Sequence, residues 1–506
     1  MTWREYHEAT KHSVESLRRA PHGLDWANMP DPFRHYEGVP VLDLPSDPPV
    51  PQTPALGLLQ GGSGFSTAAD GATFLSQLLF NSAAVSASKR VGSTANRYAL
   101  RVNPSSGNLH PTEFHFRTRG LMDWPDGQYH YRPSAHMAEQ RAVGEVSFAS
   151  DAPIVFLLTS IAWREAWKYR DRAYRYCLHD AGHAWQALAL AARAMGCETQ
   201  AFGHFPDDAV ARGWRLPDDE WPMLLVELRG RAIPVREPDA GDAVWYDGQA
   251  NPLSAEPIVY PLLESVQHAT KLGDGRGIPA AEPAGSGSGE MQLPAPAASA
   301  RAFGEVVRGR RSALDFVGGA RSMSLPQLSA ILAAASQPLA ADFAGERFVQ
   351  LYLYVHRVDG LEPGVYRYWP AEEKVGRGDT PADVSPSGFG GLRDQIKRGD
   401  QRVAAAGLSL GQDLAGNACV AFSMIADIER AARAHGDRGY RYVHFEAGAV
   451  GQRLYLAAEA LGLGATGIGA FYDDQVHRYL NLAPEQGQVV YHFAIGYPVP
   501  DPRLDA

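Results

Sequence analysis

Hydrophobic residues recur at two different spacings along this chain. Helical spacing predicts helices over residues 74–88, 178–195, 325–336 and 444–461, and Gly196 and Gly462 stop the second and the fourth. Short β-like runs predict strands over 112–118, 129–132, 153–159 and 222–228, and over 348–356, 365–369, 419–424 and 488–495. Helices mixed with short strands and hairpin-like segments favour an α+β or mixed α/β fold built in layers.

The chain repeats itself at a spacing of 266 residues. The segment DRAYRY at 171–176 aligns with DRGYRY at 437–442, and the alignment continues without gaps, so that 19 of the 42 positions from 169 to 210 are identical. This period is far too long for a solenoid, whose units have ~20–50 residues, and it indicates duplication of a whole domain.

Composition between and around the copies predicts the domain boundaries. Residues 272–300 are rich in Gly, Pro, Ala and Ser and almost free of large apolar side chains, which predicts a flexible linker. The first 60 residues have little helical or strand pattern and are interpreted as an extension that wraps the first domain. We therefore expect an N-terminal extension (1–65), a first domain with a C-terminal arm (66–271), the linker (272–300) and a second domain (301–506).

Composition and charge exclude several classes of protein. The 506 residues include 47 basic and 57 acidic side chains, and the net charge of −10 argues against a nucleic-acid-binding protein. Three separated cysteines (Cys177, Cys197 and Cys419) without a CxxC motif argue against a disulfide framework and a Cys-rich zinc site. The longest apolar stretch, 153–161, is far shorter than the ~20 residues that span a bilayer, and the N-terminal segment has no signal-peptide core. We expect a cytoplasmic protein of more than one domain with no nucleic-acid or membrane partner.

Two polar segments carry candidate binding chemistry. Residues 103–113 (NPSSGNLHPTE) combine turn-forming residues with hydroxyl and amide groups that can hydrogen-bond a polar heterocycle, although an ordinary surface turn has the same composition. Residues 308–312 (RGRRS) precede a helix-like start, where guanidinium and free N–H groups suit a phosphate. The alternative for this second segment is a solvated basic patch.

Two further patterns fail the test of their context. The segment GLGATG at 462–467 matches GxGxxG but follows a predicted helix, so a helix exit that passes close to a ligand is the better interpretation. His179 and His183 have the i, i+4 spacing of HExxH, but no third ligand is evident and the repeat has Phe445 and Ala449 at these positions. We expect no metal site.

Taken together, these motifs resemble the flavin-dependent nitroreductase superfamily, and most closely its SagB/ThcOx-type dehydrogenase branch. The resemblance covers 70–260 and 301–500 and rests on PSSGNLHPTE, RRS, LEPGVYRY at 361–368, the paired YRY…AG segments and GATGIGAFYDD at 464–474. In that family two subunits enclose FMN in their interface. The resemblance therefore implies two tandem nitroreductase-like domains, each a central mixed or antiparallel sheet flanked by helices, that form an intramolecular pseudo-dimer. In relatives a C-terminal arm crosses the partner subunit, and residues 245–254 are either such an arm or an inert loop.

The resemblance also implies a single composite FMN site, because the two halves keep complementary motifs. The second half has RRS and the Gly-rich loop but SQPLAADFAGERF where PSSGN would stand, and the first half has PSSGN without a convincing RRS. The implied cofactor-binding residues are Pro104, Ser105, Ser106 and Asn108 from the first half and Arg310, Arg311, Ser312, Gly467, Ile468 and Gly469 from the second. The other site is expected to be vestigial.

A Lys-Tyr pair marks the azoline-oxidising branch of the family. Lys168 and Tyr169 match it, whereas the repeat has Ala434 and His435, and we assign this pair the role of catalytic base. The resemblance thus implies an FMN-dependent dehydrogenase of a heterocyclic or peptide-derived small molecule, of the azoline-to-azole type, in natural-product biosynthesis. The alternatives are an NAD(P)H-dependent reductase of nitro, quinone or enone compounds and a non-catalytic flavin-binding scaffold. Further homo-oligomerisation stays open.

Overall fold

The computed structural model describes residues 1–19, 23–90, 97–146, 150–239, 241–273, 291–343, 347–370 and 391–504. Most of the predicted linker, residues 274–290, lies outside this part of the chain. None of the helices within it is long and apolar enough to cross a membrane.

The first half of the chain alternates helices with strands. Its helices are α1 (Trp3–Ala9), α2 (Val14–Arg19), α3 (Ala55–Leu59), α4 (Gly71–Phe80), α5 (Ala162–Tyr169), α6 (Ala173–Ala194), α7 (Asp207–Gly213) and α8 (Pro261–Ala269). Its strands are β1 (Tyr36–Glu37), β2 (Val41–Asp43), β3 (Val85–Arg90), β4 (Arg97–Arg101), β5 (Thr112–Thr118), β6 (Gly127–Arg132), β7 (Met137–Val143), β8 (Ile154–Ser160), β9 (Glu198–Phe202), β10 (Trp221–Arg229), β11 (Val244–Trp245) and β12 (Gln249–Ala250).

The second half repeats the last part of this order. Its helices are α9 (Phe303–Gly309), α10 (Leu325–Ala335), α11 (Arg402–Leu408), α12 (Asp413–Asn417), α13 (Ile428–His435), α14 (Gly439–Ala460) and α15 (Asp473–Leu480). Its strands are β13 (Met291–Gln292), β14 (Met323–Ser324), β15 (Val349–Val355), β16 (Val358–Asp359), β17 (Gly364–Trp369), β18 (Gly391–Arg398), β19 (Val420–Ala426), β20 (Gly464–Ile468) and β21 (Gln488–Gly496). The run from β19 to β21 matches that from β8 to β10.

Each half contains one large sheet, and the two sheets have the same central order. The first runs β11-β7-β6-β5-β8-β10-β9, and the second runs β13-β18-β17-β15-β19-β21-β20. The paired strands of both sheets run antiparallel. Strands that are connected by a hairpin, such as β6 and β7, can therefore lie side by side. The predicted α+β fold, with a duplicated domain and helices flanking antiparallel sheets, is confirmed.

The two halves meet along the repeated helices α6 and α14, which are buried over most of their length. A Cβ atom on Gly182 would lie 2.3 Å from the carbonyl oxygen of Phe445, and one on Gly448 would lie 2.2 Å from that of His179. Only glycine permits so close an approach of one helix backbone to another. The Ala-Gly pair that recurs in the sequence therefore marks the crossing point of the two helices.

Ion pairs of the repeated DRxYRY motif cross between the halves in both directions. Arg172 and Arg175 of the first half bind Asp473 of the second, with the nearest nitrogen–oxygen distances at 3.1 and 2.8 Å. Arg438 and Arg441 of the second half bind Asp207 of the first at 2.5 and 2.7 Å. All six side chains are at most 5% exposed, so each half supplies the carboxylate that neutralises the other half's buried arginines.

Three expectations about local structure were wrong or incomplete. The helix predicted over 74–88 ends at Phe80, and residues 85–90 form β3 instead. Asn81 and Ser82 end it, because their side chains donate to the carbonyls of the residues four positions earlier, at 2.7 and 2.8 Å. The N-terminal extension contains the short helices α1 and α2, which are too short to be recognised by periodicity.

The third expectation, that residues 245–254 are either a crossing arm or an inert loop, was incomplete. Strand β11, at the start of residues 245–254, pairs with β7 of its own half, and Asn251 bonds the N-terminal extension at His35. The following α8 region makes the contact with the second half instead. There the carbonyl of Thr270 accepts a hydrogen bond from Arg438 at 3.1 Å, and its hydroxyl accepts one from Arg441 at 2.9 Å.

Candidate functional site

A cavity of about 340 Å³ opens between the two halves. All ten sequence-predicted cofactor-binding residues line it: Pro104, Ser105, Ser106 and Asn108 from the first half, and Arg310, Arg311, Ser312, Gly467, Ile468 and Gly469 from the second. Tyr169 lines it as well. Of these ten residues, Pro104 and Gly469 lie farthest apart in the sequence, at 365 positions, and the fold brings them to one site.

The cationic end of the cavity is formed where α9 ends. Arg310 is 4% exposed and donates from Nε and Nη2 to the carbonyls of Val102 and Arg101, both at 3.2 Å. Its Nη1 is buried without a hydrogen-bond partner. Desolvation lowers the pKa of Arg310 to about 10, and the neighbouring Arg311 adds to the effect. A buried arginine with an unused donor, beside a half-buried second arginine, is the arrangement that an anionic group stabilises.

One tyrosine of α14 ties the two motifs of the second half together. The hydroxyl of Tyr455 lies 2.8 Å from Ser312 Oγ and accepts from the Gly467 backbone N–H at 2.9 Å. The backbone of Ser312 also pairs with Ala465, the residue before Thr466 in β20. Tyr455 therefore fixes the distance between the arginine segment and the Gly-rich strand, a role that no sequence pattern indicated.

The polar side chains of the PSSGN turn hold its own backbone. Ser105 Oγ accepts from the N–H of His110 at 2.7 Å, and Asn108 donates to the Ala99 carbonyl at 3.0 Å. The backbone N–H and hydroxyl of Ser106 both donate to the Asp180 carboxylate, at 3.0 and 2.9 Å. These bonds shape the turn, and the cofactor-binding role that the sequence predicts for Ser105, Ser106 and Asn108 stays a prediction.

Lys168 and Tyr169, at the end of α5, lie against this turn. A Cβ atom on Gly107 would be 2.8 Å from the Tyr169 hydroxyl oxygen and 3.0 Å from Lys168 Nζ, so the two groups converge on one glycine. That glycine has φ +59°, a left-handed conformation that other residues rarely adopt. The Tyr169 ring stacks on Tyr176 at a centroid distance of 4.1 Å, and the Tyr176 hydroxyl donates to the Gly469 carbonyl at 3.0 Å. Burial raises the pKa of Tyr169 well above its ordinary value, and Glu165 adds to this.

Two buried carboxyl groups that sequence reasoning missed lie beside this pair. Glu165, on the same turn of α5 as Lys168, is fully buried, and desolvation followed by the Asp180 carboxyl raises its pKa well above the ordinary value. Asp180 lines the cavity, and desolvation raises its pKa to about 7 against the opposing hydrogen bonds from Ser105 and Ser106. The repeat carried a signal, because Glu446 occupies the position of Asp180 and both copies therefore have an acid within a buried helix.

The two rejected patterns have structural roles. His179 stacks on Tyr491 at a centroid distance of 4.4 Å, and His183 lies 3.2 Å from the Tyr491 hydroxyl. Within the described residues, no group of three or more His, Cys, Asp or Glu side chains is arranged to hold a metal ion. The GxGxxG segment runs into β20, an edge strand of the second sheet, rather than into a helix.

Comparison with known proteins places the chain in a family. The model of the family described as "Nitroreductase family" matches residues 82–230 and 307–497, one segment in each half. A curated protein of Methanocaldococcus jannaschii, named as a nitroreductase, is 34% identical over 134 residues; this covers 26% of the present chain and 59% of the relative's own length.

Solved structures give the same result at the level of the fold. A crystal structure from Anabaena variabilis, described as a nitroreductase, superposes with a TM-score of 0.73 at 25% identity and covers 98% of this chain and 99% of that one. A chain of the E. coli microcin synthetase McbBCD complex is 18% identical, with a TM-score of 0.26, over 48% of this chain and 88% of its own. On the two matched segments, this chain belongs to the nitroreductase family.

Proposed function

We propose that this protein is an FMN-dependent oxidoreductase that dehydrogenates a heterocyclic or peptide-derived substrate, of the azoline-to-azole type. The observation that carries the proposal is the convergence of the ten expected cofactor residues on one cavity, which Tyr169 also lines; Lys168 does not line it but lies against Gly107, which does. The volume of about 340 Å³ lies within the range of small-molecule and cofactor sites.

The residues of this cavity fit FMN. The buried Arg310 has an unused donor at Nη1, and Arg311 and Ser312 follow it, so this end suits the phosphate group. Gly467 and Gly469 line the same cavity, and a Cβ atom on either would lie only 2.1 Å from Tyr491 or 2.0 Å from Tyr176, so both glycines are needed for these tyrosines to line it as well. When bound, FMN supplies a two-electron acceptor for a hydride.

The proton chemistry is assigned to Lys168 and Tyr169. Dehydrogenation removes a proton as well as a hydride, and the amine of Lys168 or the phenol of Tyr169 has to accept that proton from the substrate carbon. Both groups lie within about 3 Å of the same point beside Gly107, so either can reach a substrate held over the turn. The high pKa that burial gives Tyr169 keeps the phenol protonated, which favours Lys168 as base and Tyr169 as hydrogen-bond donor.

The chain is further proposed to act as an intramolecular pseudo-dimer with one flavin site. The second half has Ala434 and His435 where the first has Lys168 and Tyr169, so only one cavity has the base. The proposal keeps the division of the chain that the sequence predicts: an extension (1–65), a first domain (66–271), a linker (272–300) and a second domain (301–506). In this arrangement the arginines and the base of the active site come from opposite halves.

The test combines flavin content with a matched substitution. We expect about one FMN per chain after denaturation, and we expect Lys168→Ala to retain FMN but oxidise a thiazoline-containing peptide at least 100-fold more slowly. Lys271→Ala, at an exposed lysine paired with Asp208, is the control and leaves turnover unchanged.

Three outcomes would overturn the proposal. Protein without flavin that takes up none from added FMN would remove the enzyme interpretation. Two FMN per chain would remove the single composite site. NADPH-driven reduction of quinones that is unaffected by Lys168→Ala, without thiazoline oxidation by the wild type, would assign the protein to the reductases.

A further inference from the structure

A second cavity, of about 420 Å³, lies at the position that the repeat relates to the first. It is lined by Gln186 and Arg193 of α6 and by residues 197–200 at β9. The spacing of 266 aligns two further lining residues, Ala189 of α6 and Gln200 of β9, with Tyr455 and Thr466, which line the first cavity. The duplicated fold has therefore kept an open volume on both sides of the helix pair.

The flavin-type arginine segment is missing from this second cavity. Helices α3 and α9 are equivalent, because the residues before them, Pro54 and Ala302, pair with each other across the two halves. After α9 the chain supplies Arg310 and Arg311, whereas after α3 it supplies residues 61–63, Gly-Gly-Ser. A second flavin would thus lack here the contacts that Arg310 and Arg311 offer in the first cavity.

Two other arginines, Arg453 and Arg193, line this cavity. Arg453 reaches the cavity from α14 and is only 2% exposed; it donates from Nη2 to the Pro338 carbonyl at 2.8 Å, and from Nη1 to the Gln337 carbonyl. Its Nε is buried without a hydrogen-bond partner. Arg193 lines the same cavity from α6. The aligned positions of the other half hold Ala187 for Arg453 and Glu459 for Arg193, so neither charge is a remnant of the shared pattern.

The positive charge of this cavity is only partly balanced. Desolvation, followed by the like charges of Arg193 and Arg347, lowers the pKa of Arg453 to about 9. The carboxylate of Glu446 opposes this shift. Glu446 accepts hydrogen bonds from the backbone of Phe348 and Val349, both at 3.0 Å, so its charge is already shared. Two further acids line the cavity: Glu198 is exposed, and Glu227 pairs with Arg229 at 3.0 Å.

We propose that the second cavity binds a small anion, whose phosphate or carboxylate group is held by Arg453 and Arg193. The rest of the ligand would lie along Gln186, Thr199 and Gln200, which offer neutral polar contacts, and against Trp185. The ligand class is a phosphorylated or carboxylated small molecule other than a flavin. This inference is independent of the reaction assigned to the first cavity.

The test uses the FMN-saturated protein, so that the first cavity does not compete for the probe. Inorganic phosphate and citrate are titrated separately by calorimetry in low-salt buffer, and we expect saturable binding of at least one of them. Arg453→Gln and Arg193→Gln are each expected to raise its Kd at least about tenfold, because each removes a charge-assisted hydrogen bond. Arg212→Gln removes an exposed arginine outside the cavity and is the control of equal charge.

The two probes separate the ligand chemistries: binding of phosphate alone indicates a phosphorylated ligand, and binding of citrate alone indicates a carboxylate. If Arg453→Gln does not fold, Arg193→Gln, at a half-buried position, still decides the question. Absence of saturable binding up to about 10 mM of either probe, or binding that neither substitution weakens, would overturn the proposal. The flavin content of both variants should equal that of the wild type, since neither residue lines the first cavity.

Discussion

The crossing ion pairs allow a sharp prediction for Asp473→Asn. Asp473 is fully buried and accepts from Arg172, Arg175 and the backbone N–H of His12, at 3.1, 2.8 and 2.8 Å. The asparagine keeps the shape and part of the hydrogen bonding but removes the negative charge. Two arginines, 5% and 2% exposed, then remain in the interface without a neutralising partner.

The magnitude follows from this burial. Removing one partner of a buried ion pair costs about 3–5 kcal/mol, chiefly because the remaining charge is desolvated and unpaired. A typical domain is stable by only about 5–15 kcal/mol, so Asp473→Asn should remove a large share of the free energy of unfolding. Burial alone would raise the pKa of Asp473, but Arg172 and Arg175 outweigh it and hold the pKa well below its usual range, which agrees with a strong interaction.

Urea unfolding followed by tryptophan fluorescence at pH 7 measures the effect. The adjacent Asp474→Asn is a matched control: its side chain is 60% exposed and pairs with Lys11 at 3.0 Å, so the loss should stay below about 1 kcal/mol. Asp207→Asn, the mirror substitution, should cost as much as Asp473→Asn. A loss below 1 kcal/mol for Asp473→Asn, or equal losses for Asp473→Asn and Asp474→Asn, would refute the reasoning.

Two further predictions concern the first cavity. The folded pKa of Asp180, about 7, lies above the unfolded value of ~3.9, so Asp180 lowers stability as pH rises from 4 to 7. Asp180→Asn should remove this pH dependence. In urea titrations, the free energy of unfolding of the variant minus that of the wild type should therefore rise by up to roughly 4 kcal/mol between pH 4 and 7. A difference that does not change with pH would contradict the raised pKa of Asp180. Gly107→Ala should reduce thiazoline turnover sharply, because the new methyl group meets Tyr169 and Lys168 at 2.8 and 3.0 Å. Gly38→Ala, with φ +78° and nothing within 4 Å, should cost a similar roughly 1 kcal/mol of backbone strain but leave turnover intact; equal turnover in both variants would contradict this role for Gly107.

Buried regular elements could be predicted from the sequence. Strand β5 begins and ends as predicted, because all of its residues are buried and the run is bounded by a turn. The long helices α6 and α14 were also predicted, but each begins several residues earlier than expected, within the DRxYRY motif. Their first turns are held by tertiary ion pairs to the other half, and no local pattern reports such partners.

The candidate site likewise contains residues that the sequence could indicate and residues that it could not. Motif residues such as Arg310 and Ser106 could be found from the sequence, since their spacing is local and repeated in a known family. For Asp180 the repeat indicates only an acid shared with Glu446, because the role of Asp180 depends on the Ser106 turn, which lies 74 residues away in the chain. Tyr455 is likewise significant only because two distant segments, at Ser312 and Gly467, meet at its hydroxyl.

Joining two copies of a domain in one chain changes what substitution can do. In a symmetric homodimer, each mutation appears twice, so a residue lost from one cavity is lost from the other. Here Gly61 and Gly62 line one cavity, whereas Arg310 and Arg311 line the other. The reciprocal carboxylates Asp207 and Asp473 keep the two copies docked while the cavities diverge. Covalent linkage therefore allows a substitution to alter one cavity without altering the other, which in a symmetric homodimer would require two different subunits.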